Sequence, residues 1–406
     1  MLQLLKMAFR DLGRNRRRTF FSALAVGASF ALLILMSAVI NGEMGGAVEQ
    51  AIHLQSGHIQ VRSATYDENK NSLKWEDLVE NPDQLAGQIA ALPPVEAATP
   101  RLYASGFLAT GNESAGVRVY GIDPASAANA PYRNGLLDGS FLTADDTGGL
   151  LIGEPMAARL HLKVGDSVGL SVNTANGDVD EQTFIVRGIF STNTYGFDNA
   201  TVLMPLAKVQ AITQTQNHAS TIFVLLKDTT ATDSIIAALK SSGNLKVLTF
   251  EEMNPLVVQW EAMAQSYISL FYLIILAIGA SVIVNTLIMS VYERTREIGI
   301  LTAIGMRGSG ILGLFLVESS LLAVGGVIFG IILGMAGVYL FNINGFYIGK
   351  MGLSGIMVTN TIYAKPLLSD NINLAILTFI VTMLAGLYPA IMASRMEPIA
   401  ALRAEK

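Results

Sequence analysis

The chain has 406 residues, 51% of them hydrophobic and 15% charged, with 38 Gly, 16 Met, no Cys and a formal net charge of −5. Soluble domains carry about 25% charged residues, so this composition excludes an ordinary soluble enzyme. The missing Cys excludes a disulfide-stapled domain, and the acidic balance excludes a basic nucleic-acid binder.

The missing charge is concentrated, since residues 19–42, 262–292, 319–349 and 371–394 contain no Asp, Glu, Lys or Arg. About 20 apolar residues cross hydrocarbon as a helix, so the expected fold class is an α-helical membrane protein with four transmembrane helices. In chain order these are a basic amphipathic helix over 1–18, a span over 19–40, an extracytoplasmic domain over 41–266, a span over 267–292 and a link over 293–310. A span over 311–340, a loop over 341–371, a span over 372–394 and a tail over 395–406 complete the chain. Lys6, Arg10, Arg14 and Arg16–Arg18, then Arg294, Arg296 and Arg307, then Arg395, Arg403 and Lys406 place twelve of the 27 basic residues in three short stretches on one side. The positive-inside rule makes that side cytoplasmic, with both termini there. The first apolar run is longer than a signal peptide's, and an anchor is expected.

The large domain reads as α+β. Residues 57–62 alternate as a half-buried strand, and Asn81-Pro82-Asp83 opens a helix with Asn81 as N-cap. Leu85, Ile89 and Leu92 share its face, Pro93-Pro94 stops it, and strands run through Leu108 and over Val117–Ile122. Thr221–Leu226, Thr232–Leu239 and Lys246–Phe250 repeat strand, helix and strand. The two sets form a βαβ-built lobe, interrupted by a β-rich insert over about 124–215, with a hairpin turn at Asn176-Gly177.

Helical stalks carry this domain. From Pro255, with Asn254 as N-cap, one pattern runs to Tyr292, and Leu256, Trp260, Met263, Tyr267, Leu270 and Ile274 step by four and three as in a coiled coil. Ile40, Met44, Ala47, Ala51 and Leu54 extend the first span in the same way. Either these seams pack on each other, or they form a stalk that carries movement outward.

The link reads Glu293-Arg294-Thr295-Arg296-Glu297-Ile298-Gly299-Ile300-Leu301-Thr302-Ala303-Ile304-Gly305, a short helix with Ile298, Leu301 and Ile304 as a stripe and Gly305 as its stop. Such a helix either lies in the interface or docks a partner. Gly326, Gly330 and Gly334 give small-xxx-small spacing for close helix contact. Glu318 is expected near the inner end of its span with an Arg partner, and Pro389 as a helix bend. The four His show no metal spacing, and Gly345–Met351 misses the P-loop pattern by one residue and its Ser/Thr. No catalytic or metal site is expected.

Three of these stretches are specific. ERTREIGILTAIGMR (293–307) closely resembles the signature of MacB/LolC/FtsX-type ABC transporter permeases, and Glu318-Ser319-Ser320 with Gly325, Gly326 and Gly330 is similar to their third span. The stretch Tyr388–Arg403 resembles their closing motif. The resemblance implies dimerisation with a second permease chain, the same or homologous, through the first two spans at Ile40, Met44, Ala47, Leu256, Trp260, Met263, Tyr267 and Leu270. It also implies two copies of a separate cytoplasmic ATPase that bind ATP and Mg. On this view Glu293, Arg294, Arg296, Glu297, Ile298, Gly299, Leu301, Ala303 and Gly305 are the ATPase-coupling helix. Residues 56–61, 121–124, 151–154 and 163–166 look most like the lipoprotein-releasing LolC/LolE branch. That implies extraction of lipoprotein cargo from the inner membrane and a periplasmic carrier. The alternatives are MacB-like export with an adaptor and outer-membrane channel, and FtsX-like signalling to a cell-wall hydrolase.

Overall fold

The computed structural model describes residues 2–67, 71–111, 113–239, 245–349 and 360–397. They divide into a helical unit (residues 1–44, 261–346 and 362–406) and an α+β unit (residues 45–260 and 347–361). Arg403, Lys406, Lys350, Met351 and the end of the closing motif from Pro398 lie outside the described residues.

The basic N-terminus is two helices rather than one. α1 (Leu2–Arg14) ends where the Thr19 hydroxyl donates to the Leu12 carbonyl, 2.9 Å. α2 (Arg16–Ala51) begins with the Thr19 N–H on the Asn15 carbonyl, 3.1 Å. Arg16–Arg18 therefore belong to the first turn of the span helix. A π-helical turn, Ile52–Ser56, follows α2, and Gly57 at φ +73° closes it by donating to the Ile52 carbonyl.

Among the described residues, the main sheet of the α+β unit has ten strands: β1 (Ile59–Ser63), β2 (Val95–Thr110), β3 (Glu113–Ile122), β4 (Leu136–Gly139), β5 (Gly149–Gly153), β6 (Ser167–Asn173), β7 (Val179–Phe190), β8 (Thr201–Pro205), β9 (Thr221–Leu226) and β10 (Leu245–Thr249). They run in the order β10-β1-β9-β2-β3-β8-β5-β7-β4, with β6 joining β2 to β7. Helices α3 (Pro82–Ala90) and α4 (Thr232–Leu239) cover the β10-β1-β9-β2 end, where Ile89 and Ile235 meet Ile59, Ile222 and Val224. That end is the expected βαβ-built lobe. Asn81 is a correction: its backbone is left-handed (φ +50°), which points its side chain away from α3, and it accepts from the Asn217 amide instead of capping.

The insert is not self-contained. β2, β3, β8, β5, β7 and β6 close into a six-stranded ring around Leu102, Leu108, Val119, Ile152, Phe184 and Val202, and two of those strands precede residue 124. The cause is the length of β2, 16 residues. Its Val95–Arg101 half pairs with β9 and its Leu102–Thr110 half pairs with β3. One strand thus belongs to both lobes, and the handover falls at Arg101.

Beyond these strands, α5 (Pro255–Glu293) is an unbroken helix of 39 residues, about 58 Å at 1.5 Å per residue. Asn254 opens it through its carbonyl, while its side-chain amide donates backward to the Phe250 carbonyl rather than capping α5. α6 (Thr295–Ala303), α7 (Gly308–Asn344) and α8 (Leu368–Ser394) complete the helical unit. Among the described residues four helices, α2 with its π-turn, α5, α7 and α8, are long and apolar enough to cross a membrane.

The glycine stripe of α7 has a definite partner in α2. A Cβ at Gly330 would stand 2.7 Å from the Gly27 carbonyl oxygen, one at Gly326 2.5 Å from the Val26 side chain, and one at Gly334 3.0 Å from Ile34. A Cβ is excluded at Gly326 and Gly330 unless something shifts and is tight at Gly334, so these backbones approach as small residues in membrane helices allow. Pro389 is buried within α8, which runs five residues past it to Ser394.

Candidate functional site

The link helix α6 is tied down by charge. Arg294, between α5 and α6, is largely buried and reaches three carboxylates: Asp11 at 2.5 Å, Glu297 at 3.2 Å and Glu318 at 3.6 Å. Its guanidinium also lies 5.9 Å from the Phe315 ring centre. Arg14 reaches across from α1 to Glu297 at 2.6 Å, and Arg18 holds Glu293 at 2.5 Å and the Ser290 hydroxyl at 2.9 Å. Burial raises the Glu297 carboxyl, but hydrogen bonds from Arg14 and Arg294, and their charge, outweigh it and hold the group below the usual carboxylate range. The link is therefore tied by charge to α1, α2 and α7 within the helical unit.

This changes how the expected coupling residues are used. Ile298 and Gly299 are buried, and Ile298 packs with Val291, Ile311, Phe315, Ala390 and Ala393. Glu293 pairs with Arg18 of α2, Arg294 with Asp11 of α1 and Glu318 of α7, and Glu297 with Arg14 of α1. Leu301 is half-buried, and Arg296 and Ala303 are exposed. The expected stripe of Ile298, Leu301 and Ile304 splits, because the helix ends at Ala303 and Ile304 leaves the row. Ile304 is 80% exposed and Ile300 44%, so the free face is Arg296, Ile300, Ala303 and Ile304. Gly305, at φ +107°, makes the stop that was expected. A groove of about 820 Å³ runs between α1 and α6, lined by Met7, Phe9, Arg10, Arg14, Ile300 and Leu301. Glu318 has the Arg partner its sequence position called for. The roles of Asp11, Arg14 and Arg18 were not legible, since their partners lie more than 270 residues away.

The coiled-coil seam of α5 is not packed against the first span helix. Leu256, Trp260, Met263, Tyr267 and Leu270 are each more than half exposed, while Ile40, Met44 and Ala47 of α2 are half-buried. Within one chain the two seams therefore do not cover each other. Tyr267 and Leu270 belong to the apolar part of this helix, where lipid covers exposed side chains, while Leu256, Trp260 and Met263 precede it.

A second arrangement lies within the α+β unit. A helix leaves its last carbonyls without partners, and here the domain supplies them. Arg101, fully buried, donates to the Leu54 carbonyl at 2.8 Å and to Asn129 Oδ1 at 3.1 Å. Tyr132 donates to the same Leu54 carbonyl at 2.5 Å, Tyr103 to the Gln55 carbonyl at 3.3 Å, and Ser56 to the Ala51 carbonyl at 3.2 Å. The Arg101 guanidinium sits 3.5 Å from the Phe223 ring centre, and its charge faces the negative end of the helix dipole. Burial pushes the Tyr132 hydroxyl up to about 12, with Arg101 opposing, so it remains a donor at neutral pH. These groups grip the end of the α2 helix at the point where β2 passes from one lobe to the other. Gln55 and Tyr103 also line a cavity of about 650 Å³ with Arg62, Arg118, Tyr120 and Glu252. No group of three or more His, Cys, Asp or Glu that could hold a metal occurs among the described residues.

Comparison with known proteins places the chain. Residues 19–242 match the MacB-like periplasmic core domain and residues 269–398 the FtsX-like permease C-terminal region. The macrolide export ATP-binding/permease protein MacB of a Shewanella species is 24% identical over 99% of this chain. The lipoprotein-releasing system transmembrane protein LolC of Neisseria meningitidis serogroup B is 22% identical over 95% of it. The chain spans 60% of the length of that MacB relative and 94% of the LolC relative. Among solved structures, the periplasmic region of MacB from Actinobacillus actinomycetemcomitans aligns over 52% of this chain and 97% of its own, at 17% identity and a TM-score of 0.37. The four apolar helices and these matches make it an inner-membrane protein with a periplasmic domain. The chain belongs to the MacB/LolC/FtsX-type family of ABC transporter permeases.

Proposed function

We propose that the chain is a permease subunit in which ATP hydrolysis by a cytoplasmic ATPase, seated on α6, moves the periplasmic domain through α2 and α5 to extract lipoproteins from the inner membrane. The observation that carries this reading is the link helix: a short helix held by the buried Arg294–Asp11 pair and the exposed Arg14–Glu297 pair, with Arg296, Ile300 and Ile304 left free beside a groove. A helix tied down in this way, with an open apolar face, transmits a push from a partner seated on it, where a loosely held one would absorb it. The open seam of α5 supports a second permease chain, and the gripped end of α2 supports transmission into the domain. On this reading both termini lie in the cytoplasm, which the distribution of basic residues supports.

The lipoprotein reading is supported by the LolC relative, which matches this chain over nearly its full length. The test is a liposome assay with the full chain, its ATPase and a labelled lipoprotein. Release on ATP addition supports the reading, and ATP turnover without release contradicts it. A second reading, MacB-like export, is supported by the MacB-like core domain match. Co-purification with a membrane-fusion adaptor and an outer-membrane channel is the result that favours it.

A further inference from the structure

The acids around α1 and α6 are committed to internal pairs. Asp11 pairs with Arg294, Glu293 with Arg18, and Glu297 with Arg14 and Arg294, while Glu318 lies against Arg294. Three arginines satisfy this set. Lys6, Arg10, Arg16 and Arg17 are exposed and have no acidic partner among the described residues.

These four cations are interleaved with large apolar side chains. Lys6 and Arg10 stand one turn apart on α1, as do Leu5 and Phe9, and residues at that spacing share a helix face. Leu5 is 53% and Phe9 71% exposed. The opposite side of α1 is the packed one: Ala8 is fully buried, and Leu4 approaches Gly313 of α7. Arg16 and Arg17 lead into Phe20 and Phe21, 54% and 64% exposed on α2. A solvated charged face accounts for the cations but not for the exposed Leu5 and Phe9, and the groove beside α6 takes in Phe9, Arg10 and Arg16 but neither Leu5 nor Lys6. An amphipathic helix lying in the headgroup region accounts for both, with its apolar residues among the upper acyl chains and its cations level with phosphate. The location agrees, because α2 enters the bilayer directly after Arg18.

We infer that Lys6, Arg10, Arg16 and Arg17, with Leu5 and Phe9, form a seat for anionic phospholipid headgroups in the leaflet where α1 lies. The cations supply the preference for anionic over zwitterionic lipid, and Leu5 and Phe9 supply depth.

The test uses the full chain in mild detergent with equimolar phosphatidylglycerol and phosphatidylcholine, and counts retained lipids by native mass spectrometry. Selective retention of phosphatidylglycerol is expected. It should fall roughly thirtyfold in the Lys6→Gln/Arg10→Gln double variant, about fivefold for each cation removed. That variant keeps Arg14 and Arg16–Arg18, so four of the six basic residues before the first span remain and the ion pairs are intact. A Phe9→Trp variant, read against the wild-type emission, should be quenched more by brominated phosphatidylglycerol than by brominated phosphatidylcholine. Equal retention of the two lipids, an unchanged count in the double variant, or a Trp at position 9 that neither lipid quenches would overturn the inference. So would shielding of that Trp by a protein partner in place of lipid.

Discussion

The sharpest consequence of the fold concerns the Leu54 carbonyl, which takes two donors, Arg101 at 2.8 Å and Tyr132 at 2.5 Å. Consider Arg101→Met and Tyr132→Phe, alone and together. Arg101→Met removes two hydrogen bonds from a charged donor, about 1.5–3 kcal/mol each, but also removes several kcal/mol of buried-charge cost. The net loss is about 1–3 kcal/mol. Tyr132→Phe keeps the ring stacked near Phe197 and loses one neutral bond, about 1 kcal/mol. In either single variant the carbonyl keeps one donor. In the double variant it is buried and bare, a further cost of about 1–3 kcal/mol. The double variant should therefore lose about 1–2 kcal/mol more than the sum of the singles. At about 2–4 °C per kcal/mol for a domain of this size, that is roughly 2–8 °C of additional Tm loss. Both tryptophans, Trp75 and Trp260, lie in the α+β unit, so their emission during thermal unfolding of the full chain reports this region. Single-variant effects that add within about 0.5 kcal/mol would refute a shared carbonyl. If the grip also transmits movement, the double variant should turn over ATP with its partner while transport falls.

Three further outcomes follow. Gly330→Val should lower the unfolding temperature in detergent, by about 1–3 kcal/mol of overpacking against the Gly27 backbone. Gly325→Ala, with nothing within 4 Å of its Cβ, is the control and should leave it unchanged. Burial raises the Asp198 carboxyl to about 6 despite hydrogen bonds from Thr192 and Ser191. An acid whose folded pKa is raised contributes most stability below its unfolded value near 3.9, and loses that contribution as pH rises through about 6. Asp198→Asn should thus flatten the decline in Tm between about pH 4 and 6.5, and an unchanged pH profile would contradict the assignment. Glu297→Gln should loosen α1 from α6 in a salt-dependent way, seen as faster amide exchange in α1, because it releases Arg14 and weakens Arg294. Ile304→Ser should leave exchange unchanged yet weaken ATPase binding, and the reverse pattern would exchange the two roles.

What the sequence disclosed follows physical range. The spans were legible because absence of charge over a full membrane thickness is a long signal. The strand Thr221–Leu226 and the helix Thr232–Leu239 stand where their local pattern put them. The glycine stripe at Gly326, Gly330 and Gly334 was legible as a contact, though its partner Gly27 was not, because spacing on one helix says nothing about which helix faces it. Arg101 was missed for a related reason. In Ala97–Tyr103 it is the lone charge in an apolar run, a signal for a buried role that was there to read. The sharing of β2 between two lobes was hidden because strand length alone does not reveal two different neighbours. Asn81 failed because its left-handed backbone answers to Asn217, 136 residues away.

The central claim is that an ATPase sits on the free face of α6. The chain has no Cys, so Ile304→Cys places a single reactive thiol on that face, and a short bifunctional crosslinker applied to native membranes asks what touches it. The account expects one major adduct containing the ATPase, diminished by Ile300→Ser, and a thiol protected from reagents confined to the periplasm. Co-purification of the ATPase without any adduct at position 304, or labelling of that thiol from the periplasmic side, would contradict it.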